Sequence, residues 1–266
     1  MDFLQALILG LVEGVTEYLP VSSTGHLLIA QRLLGIGASD AANGYVIAIQ
    51  AGAILAVLGL YRERIGQMLS GVAGRDPAGL QLALHLVVAF LPAAVLGVLF
   101  DKRIEQHLFG VRPVIAAWVV GGLLILVLAP WIRRHREGAG LTALTWRSAI
   151  LIGLAQSLAM WPGTSRSLVT ILGGLAVGLS LAAAVEFAFL LGLLTLTAAT
   201  AYTLLKSGAG MLAAYGWVTL ATGFLAAWVA AALAVKWMVA WLNRHGLSLF
   251  AWWRFAAAGL AAWLLL

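Results

Sequence analysis

Six long apolar runs constrain this chain more than any other feature of its sequence: Ala41 to Tyr61, Leu82 to Phe100, Pro113 to Ile132, Leu181 to Leu205, Leu212 to Val235 and Gly246 to Leu266. They are free of charged side chains apart from Glu186 and Arg254, and each has the length of about 20 residues that a helix needs to cross a bilayer. Short polar links separate them, among them Arg62-Glu63-Arg64, Asp101-Lys102-Arg103 and Arg133-Arg134-His135-Arg136-Glu137, which read as interfacial loops. Only 10% of the residues are charged, against roughly 25% in a soluble domain, so a water-soluble globule is excluded. The 16 Lys/Arg outnumber the 10 Asp/Glu, but in a membrane chain that excess belongs to the loops, and no nucleic-acid partner is expected. Without cysteine there is no disulfide, thiolate metal site or cysteine nucleophile. The start Met1-Asp2-Phe3 has no basic region ahead of an apolar stretch and is read as retained.

Two further apolar stretches are interrupted by turn-forming residues. Residues 3 to 37 break at Leu19-Pro20-Val21-Ser22-Ser23-Thr24-Gly25-His26, and residues 148 to 180 break at Trp161-Pro162-Gly163-Thr164-Ser165-Arg166-Ser167. Proline removes a helix donor and biases the residue before it away from helix, and the hydroxyls can cap a following half-helix. Irregular backbone at membrane depth survives only where protein or water surrounds it. Both stretches therefore read as re-entrant helix-loop-helix segments facing an interior site. They also resemble each other: Gly10-Leu11-Val12-Glu13 ahead of Pro20 and Ser23 matches Gly153-Leu154-Ala155-Gln156 ahead of Pro162 and Ser165, at offsets of 143 and then 142. The expected fold is an all-α polytopic membrane protein, one domain over 1–266. It holds two inverted-topology repeats, about 1–140 and 141–266, with six transmembrane helices plus the two re-entrant segments. The links at 62–82, 131–148 and 236–247 carry nine Lys/Arg against four at 101–112 and 206–215, so the first set is expected to be cytoplasmic. The first re-entrant segment then opens outward and the second enters from the cytoplasmic side.

A charged side chain at bilayer depth costs about 2.5–3.5 kcal/mol on insertion scales, so Glu13, Glu17, His26, Arg166, Glu186 and Arg254 each need a reason. Glu13 and Glu17 share one helix face, one turn apart. The pair is tolerable if one acid is protonated, or if a divalent cation or an arginine lies between them; a solvated helix end is the plainer alternative. Ser22-Ser23-Thr24-Gly25-His26 offers hydroxyls and an imidazole at a half-helix start, where free amides and the helix dipole favour an anion. Ser23 and His26 are spaced for a nucleophile and its base, or merely for a cap and an interfacial histidine. In the second break Arg166 stands among Thr164, Ser165 and Ser167, with Gly163 before them and Thr170 after. Its fork of donors suits phosphate, and a salt bridge to Glu13 or Glu17 would also satisfy it. Gln50 and Glu186 read as cavity-lining or as helix-to-helix hydrogen bonding, and Arg254 as snorkelling or hydrogen bonding. Acids, imidazole, hydroxyls, arginine and helix starts inside an apolar shell suit a phosphate or diphosphate head group whose hydrocarbon tail stays in the lipid.

At this level of detail the chain resembles a known family, the bacterial undecaprenyl-diphosphate phosphatases. The resemblance rests on Glu13-x-x-x-Glu17, Leu19-Pro20-Val21-Ser22-Ser23-Thr24-Gly25-His26 and Pro162-Gly163-Thr164-Ser165-Arg166-Ser167-x-x-Thr170. The stretch Ile49-Gln50-Ala51-Gly52-Ala53-Ile54-Leu55-Ala56-Val57 and the pair Glu186-Phe187 add to it. Leu168 stands where glycine is common and Ala51 where leucine is common. The resemblance implies a multi-pass enzyme of the bacterial plasma membrane that hydrolyses the C55 isoprenoid diphosphate to the monophosphate and inorganic phosphate. That activity recycles the cell-wall carrier lipid and confers bacitracin resistance. A divalent cation, Mg2+ or Ca2+, is implied, as is a site opening toward the periplasm, and a homodimer is a candidate assembly. Carried over by position, Glu17, Ser23, His26 and Arg166 are the expected catalytic residues, and Glu13 and Glu17 the expected cation ligands. Ser22, Thr24, Gly25, Gln50, Gly163, Thr164, Ser165, Ser167 and Thr170 are expected to bind substrate. Ser23 or a water attacks and His26 manages the proton. The alternative from another class is an inverted-repeat transporter or flippase of an anionic lipid or solute.

Overall fold

The computed structural model describes residues 1–37 and 39–266, and its regular structure is helical apart from one isolated bridge between Ala139 and Leu179. The helices are α1 (Phe3–Thr16), α2 (Ser23–Leu33), α3 (Asp40–Leu60), α4 (Arg62–Val72), α5 (Pro77–Leu108), α6 (Val111–Arg134), α7 (Trp146–Ser157), α8 (Arg166–Ala176), α9 (Leu181–His245) and α10 (Ser248–Leu265). Five of them, α3, α5, α6, α9 and α10, contain stretches long and apolar enough to cross a membrane, as a polytopic membrane protein requires.

Two of the six expected spans lie in the single element α9. At 65 residues it would be about 98 Å long if straight, but it breaks at Gly216, whose φ of 73° lies in the left-handed region that only glycine enters without a steric penalty. The link expected at 206–215 is therefore helical, and the chain turns just after it: Lys206-Ser207-Gly208-Ala209-Gly210 contains no proline to remove a helix donor. The link at 62–82 likewise is not simply a loop. It contains α4 and the capped start of α5, where Asp76 accepts from the Gly79 amide at 3.0 Å and Pro77 occupies the first turn, a preferred place for it. That amide holds the Asp76 carboxyl below the usual carboxylate range.

The interrupted stretches form two helix-loop-helix hairpins, α1–α2 and α7–α8, the second with a 3-10 turn at Leu158–Met160. Their packing depends on close backbone approach. A Cβ on Gly10 would strike the Gly223 carbonyl, one on Gly14 the Ala227 carbonyl and one on Gly52 the Phe224 carbonyl, so α1 and α3 sit directly against the second arm of α9. Small residues at such crossings are the usual way to gain van der Waals contact where lipid removes the hydrophobic drive between helices. α6 carries both hairpin loops. The Trp118 indole donates to the Val21 carbonyl of the first loop at 2.9 Å, and the Trp161 indole of the second donates to the Pro113 carbonyl at 3.1 Å. Ser167 Oγ of α8 donates to the Leu19 carbonyl at 2.9 Å and ties the loops to each other.

Candidate active site

Each hairpin loop delivers a serine to the start of its second helix in the same unusual backbone. Ser22, ahead of α2, has φ 72° and ψ 99°; Ser165, ahead of α8, has φ 78° and ψ 112°. They are the two non-glycine residues at positive φ among those described. Such a conformation costs about 1–3 kcal/mol and persists only where the surroundings over-determine it, typically at functional sites. The geometry thus places Ser22, rather than Ser23, opposite Ser165, so the 143-residue offset continues through the helix starts and Ser23 stands opposite Arg166.

Three of the expected catalytic side chains meet between these starts. Arg166 Nη2 donates to Glu17 Oε1 at 3.0 Å, the Ser23 hydroxyl donates to the other carboxylate oxygen of Glu17, and Arg166 Nη1 donates to the Ala188 carbonyl at 3.1 Å. The guanidinium carbon lies 5.3 Å from the centre of the Tyr18 ring. Arg166 Nε, the Tyr18 hydroxyl and both carboxylate oxygens of Glu13 are buried without a hydrogen-bond partner among the described residues. Orphaned polar atoms at this density mark a place where water, an ion or a ligand belongs.

The cluster forms one wall of a cavity of about 700 Å3. Glu17, Ser22, Ser23, Thr24, Gln50, Ser165 and Arg166 contribute polar lining; Ala93, Ala94, Gly97 and Val98 of α5 with Ala198 and Ala199 of α9 contribute apolar lining. The first four amides of a helix lack an intrahelical partner, so the starts of α2 and α8 supply donors for an anion beside Glu17 and Arg166.

Other expected site residues lie elsewhere. His26 does not reach Ser23. Its Nδ1 is 2.7 Å from the Ser22 carbonyl and its Nε2 accepts from the Trp253 indole at 3.0 Å, and since a carbonyl only accepts and an indole only donates, these partners fix the neutral Nδ1–H tautomer. Glu17, not His26, accepts the hydrogen bond of the Ser23 hydroxyl. Gly25 packs on the Trp118 ring, and Gly163, at φ 97°, lies so close to Ala117 and Val114 that a Cβ would collide; both shape the loops without lining the cavity. Ser167 and Thr170 are buried and bonded to backbone carbonyls, and the Thr164 carbonyl accepts from Arg254 at 3.0 Å. Glu186 pairs with Arg64 at 2.6 Å in a separate cavity of about 550 Å3. Along α9 it lies sixteen residues, about 24 Å, from Tyr202 at the wall of the first cavity.

Two lining residues escaped the sequence reading. Gln156 occupies the position that matches Glu13 at the 143 offset, a signal that was available; Thr195, whose hydroxyl donates to the Leu191 carbonyl at 2.8 Å, sits in no motif. Gly192 is a third residue of consequence, because a Cβ there would overlap Arg166 Nη1. A displacement of about 1 Å can cost 10²-fold in rate, so Gly192→Ala is expected to lower kcat/KM by about that factor while leaving the unfolding temperature in detergent near that of the unaltered protein. An unchanged kcat/KM would show that Arg166 need not occupy this position.

A family model described as "Bacitracin resistance protein BacA" matches residues 6–260. The chain is 46% identical to the undecaprenyl-diphosphatase of Sorangium cellulosum, over 99% of this chain and 87% of that one. It is 44% identical to undecaprenyl-diphosphatase 2 of Rhodospirillum rubrum, over 95% and 91% of the two chains. With the undecaprenyl-diphosphatase of Methylococcus capsulatus it shares 44% identity over 98% of each.

Proposed function

Because the chain belongs to the bacitracin resistance protein BacA family, we propose that its chemistry is carried out in the cavity between α5 and α9, at the cluster of Arg166, Glu17 and Ser23. The protein is a membrane phosphatase that hydrolyses undecaprenyl diphosphate to undecaprenyl phosphate and inorganic phosphate. The observation that carries the assignment is the mixed lining of the cavity: a guanidinium, a carboxylate and the hydroxyls of two helix starts suit a diphosphate, and the apolar residues of α5 and α9 suit an isoprenoid tail.

The diphosphate enters with its terminal phosphoryl group at the starts of α2 and α8. Phosphoryl transfer needs positioning and charge stabilisation above all, and Arg166 with the free amides of the two helices provides both. The attacking oxygen, that of Ser23 or of a water held beside it, gives its proton to Glu17 while the P–O bond to the bridging oxygen breaks and the lipid monophosphate leaves. Water attack gives inorganic phosphate directly, whereas Ser23 attack gives a phosphoserine whose Oγ–P bond a water then cleaves to release inorganic phosphate and restore the hydroxyl. Arg166 holds Glu17 in place through the 3.0 Å bond, and His26 holds the Ser22 carbonyl and so the approach to α2.

Glu13 and Glu17 are the acids that would hold a divalent cation, Mg2+ or Ca2+. The two orphaned carboxylate oxygens of buried Glu13 fit this, since hard cations take carboxylate oxygens and an unpaired buried acid is costly. Bound there, the cation would neutralise phosphate charge.

The halves 1–140 and 141–266 are inverted repeats whose hairpins re-enter the membrane from opposite sides, supported by the matched backbone of Ser22 and Ser165. The exposed lining residues Val98 and Tyr202 precede the sparsely charged links at 101–112 and 206–215, whereas the Arg64–Glu186 pair includes a residue of the basic link at 62–82. With the basic face cytoplasmic, the site opens to the periplasmic side of the inner membrane.

Phosphate release from an isoprenyl diphosphate by the purified protein in detergent tests this reading. Turnover that stops on chelation and returns with Mg2+ or Ca2+ is expected; a transporter, which needs two compartments, would release none.

A further inference from the structure

Arg254 is the one arginine of the last helix, and its side chain is fully buried. It pairs with no carboxylate among the described residues. All its bonds go to backbone carbonyls, drawn from three segments. Nη1 donates to Pro20 of the first hairpin loop at 3.0 Å. Nη2 donates to Gly163 at 2.7 Å and Thr164 at 3.0 Å of the second loop, and to Ala117 of α6 at 3.2 Å. Nε donates to Trp118 at 3.3 Å. Gly121 makes room for it, since a Cβ there would strike the guanidinium.

A buried cation without a counter-ion is expensive, and snorkelling does not account for one that is fully enclosed. What the arrangement accomplishes is specific. In a trans peptide the carbonyl and the next N–H point in opposite directions, so drawing the Thr164 carbonyl onto Arg254 turns the Ser165 N–H away from it. The carbonyls ahead of α2 and α8 are thereby gathered behind the loops, where they cannot repel an anion bound in front. The same guanidinium joins Pro20 to Gly163 and Thr164, 143 and 144 residues further along the chain, and adds a positive charge behind both helix starts.

We propose that Arg254 is a positioning residue of the phosphatase site: it locks the two hairpin loops into one preset anion cradle, and its charge favours the bound diphosphate. The inference rests on the reading that the diphosphate is held at those loops. A lysine retains the charge but, as a single ammonium, cannot span both loops and α6.

The test uses the full chain in detergent, with kcat and KM for an isoprenyl diphosphate, inhibition by inorganic phosphate, and hydrogen–deuterium exchange over residues 17–26 and 158–170. Arg254→Lys is expected to raise KM, weaken phosphate inhibition, lower kcat/KM by about 10²-fold and speed exchange in both loops together. A role in stability alone would reduce the folded yield but leave KM and phosphate inhibition of the folded fraction unchanged, and that result overturns the proposal. Should Arg254→Lys not fold, Gly121→Ala, which presses on the guanidinium without removing it, carries the same expectations and the same refutation. Loss of phosphate release by the unaltered protein would instead refute the phosphatase site. The exchange measurement still reads the clamp in that case: unaltered exchange in either loop of the variant overturns it.

Discussion

Arg166→Lys is expected to lower kcat/KM by about 10²–10³-fold, the usual consequence of removing one preset donor from a site where charge develops. Lysine keeps the charge, so the buried pairing with Glu17 can persist and the protein should fold. What it loses is the fork. Arg166 already spends Nη2 on Glu17 and Nη1 on the Ala188 carbonyl, and its Nε has no partner among the described residues, which leaves a donor for phosphate while the group stays anchored. An ammonium on a flexible stem cannot anchor at both places and still present a fixed donor. Steady-state phosphate release, compared at matched unfolding temperature, reads the effect; turnover within a few-fold of the unaltered protein would remove Arg166 from its role. Arg166→Ala is the less informative variant, because leaving Glu17 buried and unpaired costs about 3–5 kcal/mol of stability.

Glu17→Gln is expected to lower kcat by about 10²–10⁴-fold, the range for loss of a positioned acid–base group. The shape is nearly unchanged, but the carboxylate accepts from Ser23 at one oxygen and from Arg166 at the other. An amide has a single acceptor and must turn its NH2 toward one of those donors. Either the ion pair or the contact to the attacking oxygen is lost, and in both cases no group remains to take the proton. If Glu17 only anchored Arg166, Glu17→Gln with its carbonyl toward Arg166 would keep much of the activity, so a burst of phosphate at the ordinary rate would contradict the assignment.

Much of this site was legible in the sequence, because charge is so scarce in the chain that Glu13, Glu17 and Arg166 stand out at membrane depth. The prolines, glycines and hydroxyls at 19–26 and 161–167 marked the helix breaks for the same reason. What spacing could not reveal was direction. Ser23 and His26, three apart at a helix start, suggested a nucleophile and its base, yet the ring is turned away by the Ser22 carbonyl and the Trp253 indole, the latter 227 positions distant. Arg254 was invisible as a clamp because all its partners are carbonyls, which carry no side-chain signature. Gly192 reads as any other helix glycine until Arg166 is seen lying against it. The two arms of α9 kept helical hydrogen bonding through the expected link because nothing in residues 206–215 breaks it; Gly216 does.

The comparison of Glu17→Ala with Glu186→Ala tests the central claim most directly, since each removes an acid from an apolar stretch, Glu17 at the end of α1 and Glu186 on α9, and only the first touches the cavity between α5 and α9. Phosphate release from an isoprenyl diphosphate in detergent, normalised to folded protein, is predicted to be lost in Glu17→Ala and retained in Glu186→Ala. Retention in Glu17→Ala, with or without loss in Glu186→Ala, would place the chemistry elsewhere in the molecule.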